Sequence, residues 1–275
     1  MSEPEPIIEA RGLTRHYRRP RRSLLRPGRA VPALRDVSFT IHSGQRFGIV
    51  GESGSGKSTL IRLLAALDRP TSGTVTFAGR EIHGVPERQL GFLRRDLQVV
   101  FQDPTGSLDP RMRVRDIVCE PLVAHGHPDR AGRLAELLAA VGLPEDTARS
   151  YPHQLSGGQR QRVSIARALA PEPRVLVADE AVSALDVSVR AQILNLLADL
   201  VERYSLTLVF VSHDLSVVRH VCDTVAVLHA GELVELGPVD RVYRSPRHDY
   251  TRELIAAVPT VRSALTRFSR EEPQQ

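Results

Sequence analysis

Apolar residues recur along this chain in two rhythms. Short runs at residues 7–10, 37–41, 46–50 and 75–78, each bounded by Gly, Pro or charge, predict β-strands. The runs at 175–178 and 206–211 are apolar without alternation, so they predict strands covered on both faces, as in a parallel core sheet. Three other sets follow the i, i+3, i+4, i+7 spacing of a helix with one buried face: Leu60, Leu63, Leu64, Leu67; Leu134, Leu137, Leu138, Val141; and Ile193, Leu196, Leu197, Leu200. Strands alternating with helices predict an α/β architecture. Residues 86–154 carry helical periodicity without a convincing buried strand, which predicts a helical subdomain inserted after the first βα unit. Runs at 224–228 and 233–236 flank Ala230 and Gly231 and predict a hairpin, and beyond Pro259 the polar sequence predicts a frayed tail.

Composition narrows the class. The 275 residues are 41% hydrophobic and 25% charged, fitting one sizeable folded domain or a domain with a subdomain. No apolar window is long enough for a membrane span, and the acidic, proline-rich start is unlike a signal peptide, so a cytoplasmic location is expected. Cys119 and Cys222 lie far apart, which excludes a disulfide scaffold, a CxxC zinc site and a four-cysteine iron–sulfur cluster supplied by this chain alone. Of 37 basic residues a single one, Lys57, is lysine. Arginine carries a wide fork where lysine carries a compact charge on a slim stem, so Lys57 marks a site that must thread one cation between anionic oxygens. The net charge of +5, 4% aromatics and absence of Trp give no argument for nucleic acid as a partner.

Residues 51–59 read GESGSGKST, immediately after a strand and before a helix, the context of a phosphate-binding loop. Gly51, Gly54 and Gly56 permit close backbone approach, so the amides of Glu52, Ser53, Ser55 and their neighbours can cradle phosphate oxygens at the N-terminus of a helix. Lys57 would reach the β and γ phosphates, Ser58 would ligate magnesium, and Thr59 completes the motif. Asp179 and Glu180 follow a buried run, placing two carboxylates where open α/β sheets hold ligands. Asp179 can hold magnesium through its water shell, and Glu180 can accept a hydrogen bond from a water attacking the γ-phosphate. LSGGQ at 155–159 places Ser156 and Gly158 at another helix N-terminus, a second anion nest that either binds something else or completes a site on another molecule.

LSGGQ between a phosphate loop and VLVADE resembles the nucleotide-binding subunit of an ATP-binding cassette (ABC) transporter, over residues 7–259. The resemblance implies the P-loop ABC ATPase fold: a mostly parallel core sheet, an N-terminal antiparallel β subdomain, and a helical subdomain at about 86–158. It also implies ATP and Mg2+ as ligands. Tyr17 resembles the aromatic residue that stacks on adenine, and Gln102 in VVFQDP the glutamine that senses magnesium and links to the permease. SALD at 183–186 resembles the loop that crosses the dimer interface, and His213 in FVSHD the histidine that contacts the γ-phosphate. Implied as well is a head-to-tail dimer, with itself or a paralogous ATPase, in which Ser156 and Gly158 of one subunit close over ATP held by Lys57 of the other.

FQDP followed by SLDPR, YPHQLSGGQRQR, and PRHDYT at 246–251 resemble the dipeptide, oligopeptide and nickel importer subgroup, and the Arg-rich segment after Tyr17 resembles its second ATPase subunit. The partners so implied are two membrane permease subunits and an extracytoplasmic substrate-binding protein, with this chain peripheral on the cytoplasmic side of the membrane. Two positions depart from the subgroup: Ala181 follows Glu180 where Pro is usual, and Asp109 replaces Asn. Eight arginines within 11–29 form a basic loop that is either merely solvated or in contact with anionic head groups or the permease. A GTPase switch needs an NKxD-type motif, excluded because Lys57 is the sole lysine. Nickel import, an exporter ATPase and a soluble ABC ATPase remain the alternatives to peptide import.

Overall fold

The computed structural model describes residues 5–18, 30–183 and 185–257. Two sheets organise them. The first is antiparallel and contains β1 (Pro6–Arg18), β2 (Ala30–His42), β4 (Ser72–Phe77) and β5 (Arg80–Glu81), in the order β2-β1-β4-β5. The second contains β3 (Arg46–Val50), β6 (Leu97–Val100), β7 (Val175–Asp179), β8 (Thr207–Ser212), β9 (Thr224–His229) and β10 (Glu232–Pro238), in the order β10-β9-β3-β8-β7-β6. In this sheet β9, β3, β8, β7 and β6 run parallel, and β10 pairs antiparallel with β9 at the edge. The helices are α1 (Lys57–Leu64), α2 (Gly91–Asp96), α3 (Pro104–Ser107), α4 (Val114–Ala124), α5 (Arg130–Ala140), α6 (Gly157–Leu169), α7 (Val187–Arg203), α8 (Leu215–Val221), α9 (Val239–Arg244) and α10 (Asp249–Ala256).

Strand periodicity explains the layering. On β7 and β8, Val175, Val177, Val209 and Val211 enter one core with β1, β2, β4 and α1, whereas Leu176, Ala178, Leu208 and Phe210 enter the other with α4 to α9. Successive side chains point to opposite faces, so strands apolar at every position are covered on both. The core strand β3 carries one position without a side chain: a Cβ on Gly48 would stand 2.3 Å from Cγ1 of Val218, so glycine lets α8 pack directly on the sheet. Ala230 and Gly231, both at positive φ (48° and 85°), form the two-residue turn between β9 and β10.

Two sequence expectations need correction. The stretch 86–154 contains β6, which pairs with β7 in the core sheet. Its four residues, LQVV, are half-buried in the middle at the sheet edge, too short to stand out from the helical periods around them. Leu67 does not continue the buried face of α1. The helix ends at Leu64, Ala66 takes a φ of 50°, the Leu67 N–H donates to the Arg62 carbonyl, and Leu67 is 54% exposed. Among the described residues no helix is long and apolar enough to cross a membrane. Residues 19–29, most of the Arg-rich segment, and the tail from 258 lie outside the described residues.

Candidate functional site

The loops leaving the carboxyl ends of four adjacent parallel strands converge. The loop after β3 brings residues 51–56 and Lys57, β6 is followed by Gln102, β7 ends in Asp179 and leads to Glu180, and β8 is followed by His213. Ligands of open α/β sheets sit at such strand ends. Here Tyr17, Glu52, Ser53, Gly54, Gly56, Lys57, Ser58, Thr59, Gln102, Glu180 and His213 line one cleft of about 960 Å³.

Lys57, the first residue of α1, is 6% exposed, and its Nζ donates to the carbonyls of Gly51 (2.6 Å) and Glu52 (2.9 Å). The Glu180 carboxylate lies 3.8 Å away. Burial pushes the Lys57 amine below its usual pKa, against the opposing pull of Glu180, Asp179 and Glu52. Gly56 precedes α1 at φ 110°, and a Cβ there would stand 2.6 Å from the Ala33 carbonyl, so the loop's path requires glycine. Gly51 and Ser55 form the buried back of the loop, where the Ser55 carbonyl accepts the Gly231 N–H from the β9–β10 turn at 2.9 Å.

Glu180 sits at φ 46°, a left-handed conformation costly for a side chain of this size. Its N–H donates to the Val211 carbonyl (3.0 Å), and its carbonyl accepts from the N–H and Oγ–H of Ser183 (3.0 and 2.9 Å). The turn aims the carboxylate between Lys57 and His213, whose Nδ1 is 3.6 Å from Oε2. Asp179 lines an adjoining cleft with Ser58 and Gln102. Burial raises its carboxyl, the Glu180 charge adds to the rise, and Lys57 and Arg62 oppose it. A hydroxyl, an amide oxygen and a carboxylate suit a hard cation such as Mg2+, which takes one or two carboxylates and keeps waters and phosphate oxygens. No group of three or more His, Cys, Asp or Glu among the described residues offers a protein-only metal cage.

The profile described as ABC transporter matches residues 34–183. The chain belongs to the ABC transporter family. It is 46% identical to the di/tripeptide transport ATP-binding protein DppF of Pseudomonas aeruginosa (strain UCBPP-PA14), over 94% of this chain and 80% of that protein. It is 47% identical to the glutathione import ATP-binding protein GsiA of Escherichia coli (strain K12), over 98% of this chain but 43% of that protein. The chain thus spans less than half of GsiA. The dimeric post-hydrolysis structure of the ATP-binding cassette MJ0796 bound to ADP and Pi aligns with TM-score 0.74 at 32% identity, covering 85% of this chain and 99% of that one. The structure of cbiO1 from Clostridium perfringens, part of the ABC transporter complex cbiONQ, aligns with TM-score 0.75 at 25% identity, covering 96% and 100%. An ABC ATPase, the chain binds and hydrolyses ATP.

In this cassette Ser156 and Gly158 do not line the cleft. Ser156 is exposed and caps α6: its Oγ accepts the Gln159 N–H (3.2 Å), and the Gln159 side chain accepts the Ser156 N–H (2.9 Å). Gly158 lies against α7, where a Cβ would stand 2.7 Å from Val189 Cγ1. The Tyr17 hydroxyl donates to Asp68 (2.8 Å), and the Arg15 guanidinium lies 4.7 Å above the ring. Sequence reasoning missed Asp68, Asp214 and Tyr250. Asp214 lines the cleft with its carboxylate spent on the Ser216 N–H and hydroxyl, and Tyr250 touches the phosphate loop. Tyr250 falls within the PRHDYT motif, a signal the sequence did give without a role.

Proposed function

We propose that this ATPase powers a peptide importer, working as one of two cassettes beneath two membrane permease subunits. The observation that carries the mechanism is the meeting of Lys57, Glu180 and His213 in one cleft at the ends of β3, β7 and β8. Lys57 binds the β and γ phosphates together with loop amides other than those of Glu52 and Ser55, which donate to the Tyr250 hydroxyl and the Glu52 carbonyl, and Tyr17 offers its ring to adenine. Glu180 accepts a hydrogen bond from the attacking water as the bond to the leaving ADP oxygen breaks, and His213 contacts the γ-phosphate. Ser58, Gln102 and Asp179 are the oxygen donors fit to hold Mg2+, which when bound neutralises phosphate charge. Positioning and charge neutralisation suffice for phosphoryl transfer.

Ser156 and Gly158 complete the site of a partner ATPase, itself or a paralogue, in a head-to-tail dimer. Neither lines its own cleft, which together with the dimeric MJ0796 structure supports this reading. The names of DppF and GsiA support di- or oligopeptide cargo delivered by an extracytoplasmic binding protein, with this chain on the cytoplasmic face of the membrane. The test is ATP hydrolysis and size-exclusion chromatography of wild type beside Glu180→Gln. The variant is expected to bind ATP, lose at least about 100-fold in turnover and elute as an ATP-dependent dimer. Normal turnover in Glu180→Gln refutes the assignment.

A further inference from the structure

The PRHDYT segment, which none of the proposed catalytic roles uses, runs into α10, and α10 reaches the phosphate loop. The Tyr250 side chain is buried, and its hydroxyl accepts the Glu52 N–H at 2.8 Å. Its ring is fixed by a tilted stack on His229, the last residue of β9, with centroids 3.9 Å apart. The start of the helix is fixed as well. The buried Glu235 carboxylate on β10 accepts the N–H groups of Arg247 (3.1 and 3.2 Å) and His248 (3.3 Å), and His248 Nδ1 caps α10 by accepting the Tyr250 N–H (3.2 Å). Leu254 of α10 and Ala257 just after it then join the wall of the cleft.

Both backbone groups of Glu52 are thereby engaged: its N–H by Tyr250, its carbonyl by the Lys57 ammonium at 2.9 Å. We infer that Tyr250 is a positioning residue of the nucleotide site, holding the first turn of the phosphate loop so that Lys57 is set for the phosphates. The inference rests on the ATP site proposed above and extends it to the C-terminal helix. An anchored loop has less to order when ligand binds, so the hydroxyl acts on nucleotide affinity.

Full-length wild type, Tyr250→Phe and Ile255→Val are titrated with a fluorescent ATP analogue in magnesium, and the nucleotide-free Tm of each is recorded. Ile255 packs on the core from the same helix and does not line the cleft, so its variant reports what loosening α10 alone does. Tyr250→Phe is expected to weaken binding about fivefold, the worth of one hydrogen bond, and Ile255→Val by less than about twofold. Wild-type affinity in Tyr250→Phe, or equal weakening in the two variants, overturns the inference. If wild type itself does not bind the analogue, the nucleotide-site reading falls and this inference falls with it.

Discussion

Lys57 Nζ lies 3.8 Å from Glu180 Oε1, one group from the loop after β3 and the other from the end of β7, and both side chains are largely buried. The separation exceeds a hydrogen bond, and two of the ammonium's three N–H groups are donated to carbonyls of its own loop. Cation and carboxylate therefore face each other across a gap instead of closing on one another. Charge is arranged there before any phosphate enters, which is what electrostatic catalysis requires.

The narrow seat of Lys57 gives a sharp test of why it is the sole lysine among 37 basic residues. An Arg fork in place of the slim ammonium cannot satisfy the Gly51 and Glu52 carbonyls in the same space. Lys57→Arg is expected to keep the fold by circular dichroism and to lose at least about 10-fold in ATP affinity, since bidentate and point-charge geometries are not interchangeable. Unchanged titration curves would mean that the ammonium does not meet the nucleotide.

Gly48 concerns stability rather than chemistry. An added methyl would meet Val218 at 2.3 Å between β3 and α8. Gly48→Ala is expected to cost about 1–3 kcal/mol by overpacking, read as a Tm loss of roughly 3–8 °C. A Tm within a degree of wild type would show that α8 shifts without penalty.

Much of this frame was legible in the sequence. The runs at 175–178 and 206–211 announced β7 and β8 because strands buried on both faces lack the polar alternation of a half-exposed strand. The phosphate loop was legible because glycines, Lys57 and a following helix sit within one short segment. What escaped was either short or distant. β6 offers four residues at an edge, yet it is the strand that delivers Gln102. Asp68 meets Tyr17, and Tyr250 meets Glu52, across the fold, and no local period records a contact between residues so far apart in the chain. The αL turn at Ala66 that strands Leu67 on the surface is likewise set by backbone bonds that the apolar spacing does not encode.

Asp68 organises the mouth of the cleft. It accepts from the Tyr17 hydroxyl and, at 3.0 and 2.7 Å, from the Arg15 guanidinium. Burial works to raise this carboxyl, but the Tyr17 hydroxyl, the Arg69 N–H and Arg15 together hold it below its usual value. Asp68→Ala releases both the ring and the cation lying above it. If Tyr17 stacks on adenine, ATP affinity should fall about 3- to 10-fold while the Kd for inorganic triphosphate stays the same. An equal loss for both ligands would place the effect on the phosphate loop instead.

His83 supplies a pH dependence near neutrality. Burial lowers its pKa below 6.5, against a backbone hydrogen bond to Leu63 and the charges of Glu81 and Asp68, with Arg69 adding slightly to the fall, and its Nε2 is buried without a partner. The folded chain thus binds fewer protons at this ring than the unfolded chain does, so stability rises with pH in this window. The contribution is present above 6.5 and is lost as pH falls through the lowered folded value. His83→Asn has no titrating ring, and its Tm should fall less than that of wild type between pH 7.5 and 5.5, by about 1–3 °C. Parallel Tm curves would show that folding does not lower the pKa of His83.

Ser156 separates capping from action in trans. As an N-cap its role is to accept the Gln159 N–H, and aspartate does this equally well while favouring the helix N-terminus. Ser156→Asp should therefore leave α6 intact, with a Tm within about 2 °C of wild type, and leave ATP binding at its own Lys57 unchanged. In the proposed dimer, however, the same carboxylate would repel the partner's γ-phosphate where the hydroxyl would donate. Introduced into Glu180→Gln it is expected to abolish the ATP-dependent dimer on size exclusion, and alone to lower hydrolysis at least about 10-fold. A variant that still dimerises with ATP would return Ser156 to a purely local role and leave the second anion nest without a ligand from the partner.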